Sequence, residues 1–281
     1  MKSLNERHPC FCVNAHYKYG RIHLPVAPKC NIQCNYCNRK FDCSNESMPG
    51  YTSKLLTPEE AVKFVEFYLT KDKNVSVIGI AGPGDPLANP DRTFTTFNLL
   101  REIKPELLFC LSTNGLNIPL YIEDIIKAKI SHCTVTLNTV NPYISEKIYR
   151  YVKLKDQKYN GLDAANILLE NQLKGIELLV KNNILVKINT ILIPSINDID
   201  IINISRAIKR LGVKIHNITP LIVKKEHNTV FSRLNLRGPT EEEIDIARGV
   251  SAKIFGSYSS IMKHCKQCRA DATGYLHNQS H

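Results

Sequence analysis

Six times along this 281-residue chain, a short segment rich in β-branched and aromatic residues gives way to a longer one with helical spacing. No other feature limits the fold as much. The strand-like segments are 21–27, 75–81, 107–113, 133–138, 185–193 and 214–222. Between them, Thr57-Pro58-Glu59-Glu60 is a capping box with proline at the first helical position, and Ala61, Phe64, Val65 and Tyr68 follow at helical spacing. Leu162, Ala165, Leu169, Leu173, Ile176 and Val180 form a second stripe, and Ile201, Ile204, Ile208 and Leu211 a third. Thr240 to Glu243 is another capping box, opening a helix that carries Ile244, Ala247, Val250 and Ile254. Alternation of this kind implies parallel strands joined by right-handed crossovers. Six units are too few for a closed eight-fold barrel, so the expected fold class is α/β, an incomplete (β/α)6 barrel over residues 21–254.

Residues 1–20 and 255–281 fall outside the pattern. Both carry cysteines and are expected to fold over the barrel mouth, where the strand ends of such architectures place their chemistry. Apolar residues make up 43% and charged residues 22%, which suits one large packed core. No apolar run approaches the ~20 residues of a membrane span, and no apolar signal segment follows Met1. A cytoplasmic location is therefore expected, with no membrane partner. The net charge of +11 invites a nucleic-acid reading. However, the basic residues form no dense block and do not interleave with aromatics, so they read as a solvated surface and no nucleic-acid partner is expected.

A reducing compartment turns the ten cysteines from a disulfide framework into ligand candidates. Cys30, Cys34 and Cys37 form C-x3-C-x2-C just after the first strand. Three thiolates on one loop can hold three irons of a 4Fe–4S cubane and leave the fourth open. That iron can chelate the amino and carboxylate groups of S-adenosylmethionine, and an electron passed to the sulfonium yields a 5′-deoxyadenosyl radical. Cys43 as a fourth ligand would make a zinc site instead, an alternative that spacing leaves open. Residues at later strand ends agree with a bound cofactor. Ile80-Ala81-Gly82-Pro83-Gly84-Asp85-Pro86 offers Gly82, Gly84 and Asp85 where radical S-adenosylmethionine enzymes use a Gly-Gly-Glu segment for the methionine amino group. Ser112-Thr113-Asn114-Gly115 ends the third strand, and Thr134, Thr136 and Asn138 share one face of the fourth. Cys110 shares a face with Ser112, and His23 lies just ahead of the triad. A lone His or Cys in a strand is commonly a packed core residue, but the density of thiols here points to ligation.

The sequence resembles the NifB family, the radical S-adenosylmethionine enzymes of nitrogenase cofactor assembly. The resemblance runs through His8-Pro9-Cys10, Arg21-Ile22-His23, Val26 to Lys40, Asp42 to Ser47, Ala81 to Leu87, Ser112 to Gly115 and Cys265-Lys266-Gln267-Cys268-Arg269-Ala270-Asp271-Ala272. It implies two auxiliary 4Fe–4S clusters as substrates, one held by His23, Cys43 and Cys110 and the other by Cys10, Cys265 and Cys268. The family fuses the two into an eight-iron core, adds a sulfide and inserts a carbide drawn from the methyl group of S-adenosylmethionine. Cofactor contacts would come from Tyr36, Gly84, Thr136 and Ile188. Implied partners are iron–sulfur cluster donors, an electron donor such as a ferredoxin, and a separate carrier or scaffold for the product. Many members carry a fused C-terminal acceptor domain, whereas this chain stops soon after its last cysteine pair. Cys12 and Cys133 exceed the pattern, so Cys12 could stand in for Cys10. Glu46 could move protons or be a plain loop carboxylate. Two other readings remain at this point. One is a radical enzyme with relay clusters, such as a peptide maturase, and the other is a non-catalytic metal-binding protein.

Overall fold

A computed structural model describes residues 4–44, 54–265 and 267–276. After a short helix α1 (Val13–His16), β1 (Gly20–His23) opens the main sheet, and β2 (Ile32–Cys34) joins a second one. The alternation then runs α2 (Pro58–Lys71), β3 (Val75–Ile80), α3 (Pro90–Ile103), β4 (Leu108–Thr113), α4 (Ile118–Lys127) and β5 (His132–Thr136). It is interrupted by α5 (Pro142–Ile148), β6 (Tyr149–Leu154) and β7 (Gln157–Tyr159). It resumes with α6 (Gly161–Lys181), β8 (Leu185–Leu192), α7 (Ile201–Arg210) and β9 (Ile215–Pro220). The chain continues through α8 (Val230–Arg233), α9 (Glu241–Phe255), β10 (Ile261–Met262) and β11 (Thr273–Gly274).

The six expected strands are β1, β3, β4, β5, β8 and β9, all parallel, in the sheet order β10-β9-β8-β5-β4-β3-β1-β11. The sheet is an incomplete barrel. Both capping boxes form: Thr57 accepts from the Glu60 amide and Thr240 from the Glu243 amide, each with the glutamate bonding back. Strand alternation sorts the side chains into two faces. Ile22, Ile78, Phe109, Val135 and Ile188 pack outward into the main apolar core with the helices. Arg21, His23, Gly79, Cys110, Thr134 and Lys187 line a hollow on the other face.

Two departures from the sequence reading matter for the site. The first predicted strand, 21–27, is ordered as β1 only to His23, and Ala27 then forms a lone parallel bridge to Pro83. The cysteine loop is also no free loop, because Ile32, Gln33 and Cys34 pair antiparallel with Val152, Tyr151 and Tyr149 of β6. The tail beyond α9 supplies both edge strands. β10 pairs with β9 and β11 pairs antiparallel with β1, so the tail's two short strands lie at opposite edges of the sheet.

Candidate iron–sulfur and cofactor site

The triad loop is held in shape before any ligand is considered. Gln33 Nε2 donates to the carbonyls of Cys34 (3.0 Å) and Cys37 (2.8 Å), and the Cys37 amide donates to Cys34 O (3.1 Å). Asn35 ties the loop outward through its amide to Ile148 O (2.8 Å) and its Nδ2 to Lys147 O (2.8 Å). Cys34 sits in an apolar cluster with Ile32, Tyr36 and Tyr149. Burial raises its thiol well above the ordinary range, and the neighbouring Cys37, Cys30 and Cys43 add to the effect. Burial also pushes the Cys30 thiol up to about 12, with the Asp85 carboxylate second and the Arg39 guanidinium opposing. Thiols in this state release protons when a metal draws them into bonding.

Cys30 and Cys43 line one hollow with Gly84, Asp85, Asn114 and Thr136. Asn114 Nδ2 lies 3.9 Å from Cys30 Sγ and 2.7 Å from Asn31 Oδ1. The Asp85 carboxylate accepts from Thr113 Oγ1 (2.9 Å), the Asn114 amide (2.7 Å) and the Leu87 amide (2.9 Å), so it locks the end of β4 to the loop after β3. Gly84 is required by contact with the backbone. A Cβ there would stand 2.1 Å from the Lys29 carbonyl oxygen, immediately before Cys30. Gly82 packs against Ala270 of the tail, whose Cβ lies 3.4 Å from where a Cβ on Gly82 would stand.

Asn138 spends its amide within the protein. Its Nδ2 donates to Tyr36 Oη (2.7 Å) and Tyr149 Oη (3.0 Å), and its Oδ1 accepts from the Ile191 amide (2.8 Å). Ile188 corrects the sequence reading: its side chain packs in the outer core with the helices, and Lys187 is the neighbour that faces inward. A one-residue offset along a strand reverses the face, which is how the expected contact came to point away from the site.

An adjoining hollow shares Ala81 and Ser112 with the first and brings together Cys10, His23 and Cys110. Gly79 leaves space for the His23 ring, since a Cβ there would sit 3.0 Å from Cδ2. Cys43 lies across the shared wall rather than among these three. Burial pushes the Cys10 thiol up to about 12, against the pull of Lys187, and Cys268 and Cys265 lie close enough to act on it. Cys10 thus lies near the tail pair, and Cys12 stands at the cap of α1. Cys133 is buried in the outer core. Glu46 lies outside the described residues.

Sequence reading missed several inward groups. The His8 and His132 rings meet at a tilt with 4.4 Å between centroids, and Phe11 packs on both. Arg21 and Lys187 are buried cations in strands. A lone charge within an otherwise apolar buried strand was the available signal for both.

The donor set of the triad loop fits an iron–sulfur cluster. Cys30, Cys37 and Cys43 are near enough to Cys34 to raise its thiol further. Yet among the described residues no three His, Cys, Asp or Glu side chains gather where one ion could bind them all. Three thiols on one loop are a donor set for an iron–sulfur cluster with one open iron, and the polar hollow beside Cys30 suits a small polar cofactor.

The family model for the radical SAM superfamily matches residues 24–208. The chain belongs to the radical SAM superfamily. Among curated relatives, this radical SAM chain is 47% identical over 269 residues to the FeMo cofactor biosynthesis protein NifB of Frankia alni, covering 96% of this chain and 53% of that one. It is 48% identical over 269 residues to NifB of Klebsiella pneumoniae (96% and 57%) and 46% identical over 271 residues to NifB of Azotobacter vinelandii (96% and 53%). The resemblance to NifB thus extends over nearly the whole chain, and the chain spans about half the length of these relatives. In fold it matches the FeFe-hydrogenase maturase HydG of Carboxydothermus hydrogenoformans, with TM-score 0.53, 18% identity and coverage of 86% of this chain and 52% of that one. It also matches anSMEcpe with bound AdoMet and peptide, with TM-score 0.55, 16% identity and coverage of 85% and 62%. Among the described residues no helix is long and apolar enough to cross a membrane.

Proposed function

We propose that this chain builds the iron–sulfur core of the nitrogenase cofactor, joining two 4Fe–4S substrate clusters into an eight-iron, carbide-centred product. The observation that carries the reading is the adjacency of two thiol-lined hollows, one beside the triad loop and one containing Cys10, His23 and Cys110. The likeness to NifB proteins along 96% of the chain supports it. Cys30, Cys34 and Cys37 would hold the resident 4Fe–4S cluster, which when loaded supplies the electron that cleaves S-adenosylmethionine. Gln33, through the two carbonyls it bonds, keeps the three thiols in a fixed relation. Asp85, Gly84 and Thr136 shape the cofactor pocket, and Asn138 orients Tyr36 behind it. His23, Cys43 and Cys110 would hold one substrate cluster, and Cys10, Cys265 and Cys268 the other. The barrel of 21–254 acts with the extensions 1–20 and 255–281, which bring the outlying thiols to its mouth. The partners are cluster donors, a ferredoxin-like reductant and a carrier that takes the product, all in the cytoplasm.

The test is reconstitution without oxygen. Loaded protein should hold about twelve irons, as three 4Fe–4S clusters. With reductant and S-adenosylmethionine, it should yield a product that activates nitrogenase lacking its cofactor. An iron content near four accompanied by bound zinc would sink the reading.

A further inference from the structure

Arg39 follows the triad loop and reaches back across it. Its Nη2 donates to Pro28 O (2.7 Å) and its Nη1 to Pro83 O (3.2 Å). Pro28 stands two positions before Cys30, and Pro83 stands directly before Gly84. The guanidinium thus joins the segment that leads into the first thiol to the segment that walls the cofactor hollow. These segments also meet each other, through the Gly84 amide to Ala27 O (2.6 Å) and the Asp85 amide to Lys29 O (2.8 Å).

The same fork meets the triad. The half-buried guanidinium lies within hydrogen-bonding reach of Cys37 Sγ, as do the amide and hydroxyl of Ser44. Its charge also acts on Cys30 and Cys43. At Cys30 the Asp85 carboxylate opposes it, whereas at Cys37 the guanidinium is the foremost charge. Among the described residues its partners are these carbonyls and thiols, and no carboxylate pairs with it.

Fastening two carbonyls needs donors but no charge, so the choice of a cation calls for another reason. A guanidinium stays protonated at any working pH, and its charge here is permanent. The net charge around an iron–sulfur cluster and the hydrogen bonds to its sulfurs set its reduction potential. Reduction makes the cluster more negative by one charge, and a fixed cation beside one ligand favours that reduced form.

We propose that Arg39 is a positioning residue that acts through Cys37, placing a permanent cation against its sulfur and so raising the reduction potential of the cluster on the triad loop. This rests on the reading of Cys30, Cys34 and Cys37 as the seat of a 4Fe–4S cluster, and it is independent of where the substrate clusters lie.

The experiment compares the full chain with Arg39→Gln and Arg39→Lys, each reconstituted without oxygen. Gln keeps an amide donor and removes the charge, and Lys keeps the charge and loses the fork. The first cluster is recognised as the one whose paramagnetic resonance signal changes when S-adenosylmethionine is added. Its potential is read by redox titration of that signal before the addition. The Gln variant should keep the parent's iron content and cofactor binding, with a potential shifted to more negative values. The Lys variant should recover most of the shift. A Gln variant with the parent's potential overturns the proposal, and weakened cofactor binding alongside it would assign the cation to the cofactor instead. A Lys variant shifted as far as the Gln variant also overturns it, because the geometry of the fork and not its charge would then be at work. Should the Gln variant take up no first cluster, Arg39→Met takes its place, and the same loss there assigns Arg39 to the fold of the loop and ends the proposal. Parent protein with no signal that responds to S-adenosylmethionine would instead overturn the underlying reading of the triad.

Discussion

At Gly84 one missing carbon lets two segments of the site lie in contact. The Gly84 amide donates to Ala27 O at 2.6 Å, and the Lys29 carbonyl takes bonds from the Asp85 amide and Asn89 Nδ2, both 2.8 Å. The segment after β3 thus lies flat against the residues that lead into Cys30. Alanine would place a methyl carbon 2.1 Å from Lys29 O, and the obstructing atom is backbone that cannot rotate away. Gly84→Ala should therefore cost about 1–3 kcal/mol of stability and shift Cys30 enough to impair cluster retention. Urea unfolding of the metal-free protein and iron content after reconstitution measure the two effects. An unchanged midpoint with full iron would show that the loop relaxes freely. The sequence pointed to this glycine as a place of close approach to a ligand. The structure adds an approach to the chain's own backbone, which no single-sequence pattern reveals because the partner lies 55 positions earlier.

Among the elements, a buried polar chain behind β8 and β9 ties the sheet to its helices. His216 of β9 contacts Thr190 Oγ1 of β8 through Nε2 (3.0 Å) and Ser251 Oγ of α9 through Nδ1 (2.8 Å). Ser205 of α7 donates to Ser251 Oγ at 3.0 Å. Burial lowers the His216 pKa from 6.5 to about 3. The unfolded chain accepts a proton as pH falls below 6.5, whereas the folded chain resists until about 3. Stability that this neutral imidazole supports is thus intact above the unfolded value and is lost as pH falls through that window. His216→Gln should be less stable at neutral pH but lose less between neutral and about pH 5 than the parent does. Urea midpoints at the two pH values test this, and an equal slope in both proteins would refute it. The helices of this layer were legible because each stripe and capping box is a local signal. The hairpin β6–β7 was not. Its turn places Lys155 and Asp156 at φ 49° and 63°, a left-handed pair usually announced by Asn-Gly. Without that signal, and with β7 only three residues long, the segment 149–159 gave no cue that it would pair with the cysteine loop.

Across the whole molecule, the tail completes what the six parallel strands leave open. β10 lies beside β9 and β11 beside β1, with Cys265 and Cys268 in the sequence between these two edge strands. The N-terminal segment meets them there. His16 and His264 pack edge to face at 5.2 Å, and the His23 amide donates to Ala272 O of the tail (2.8 Å). Nothing local in the sequence shows this arrangement, since it depends on edge strands of two residues each. The C-x2-C pair alone marked the tail as more than a terminus. Its removal is therefore a test of the assembled molecule. Cys265→Ala with Cys268→Ala leaves the Arg21 bonds to Thr273 O and Gly274 O in place, so β11 should stay docked. The triad loop draws its support from β6, Gln33 and Asn35, none of which the double change touches. The variant should keep the first cluster and cleave S-adenosylmethionine at the parent's rate. It should hold about eight irons in place of about twelve and yield no product that activates cofactor-free nitrogenase, because joining two clusters requires both to be present. Activation at the parent's level would show that the pair serves only to fasten the tail.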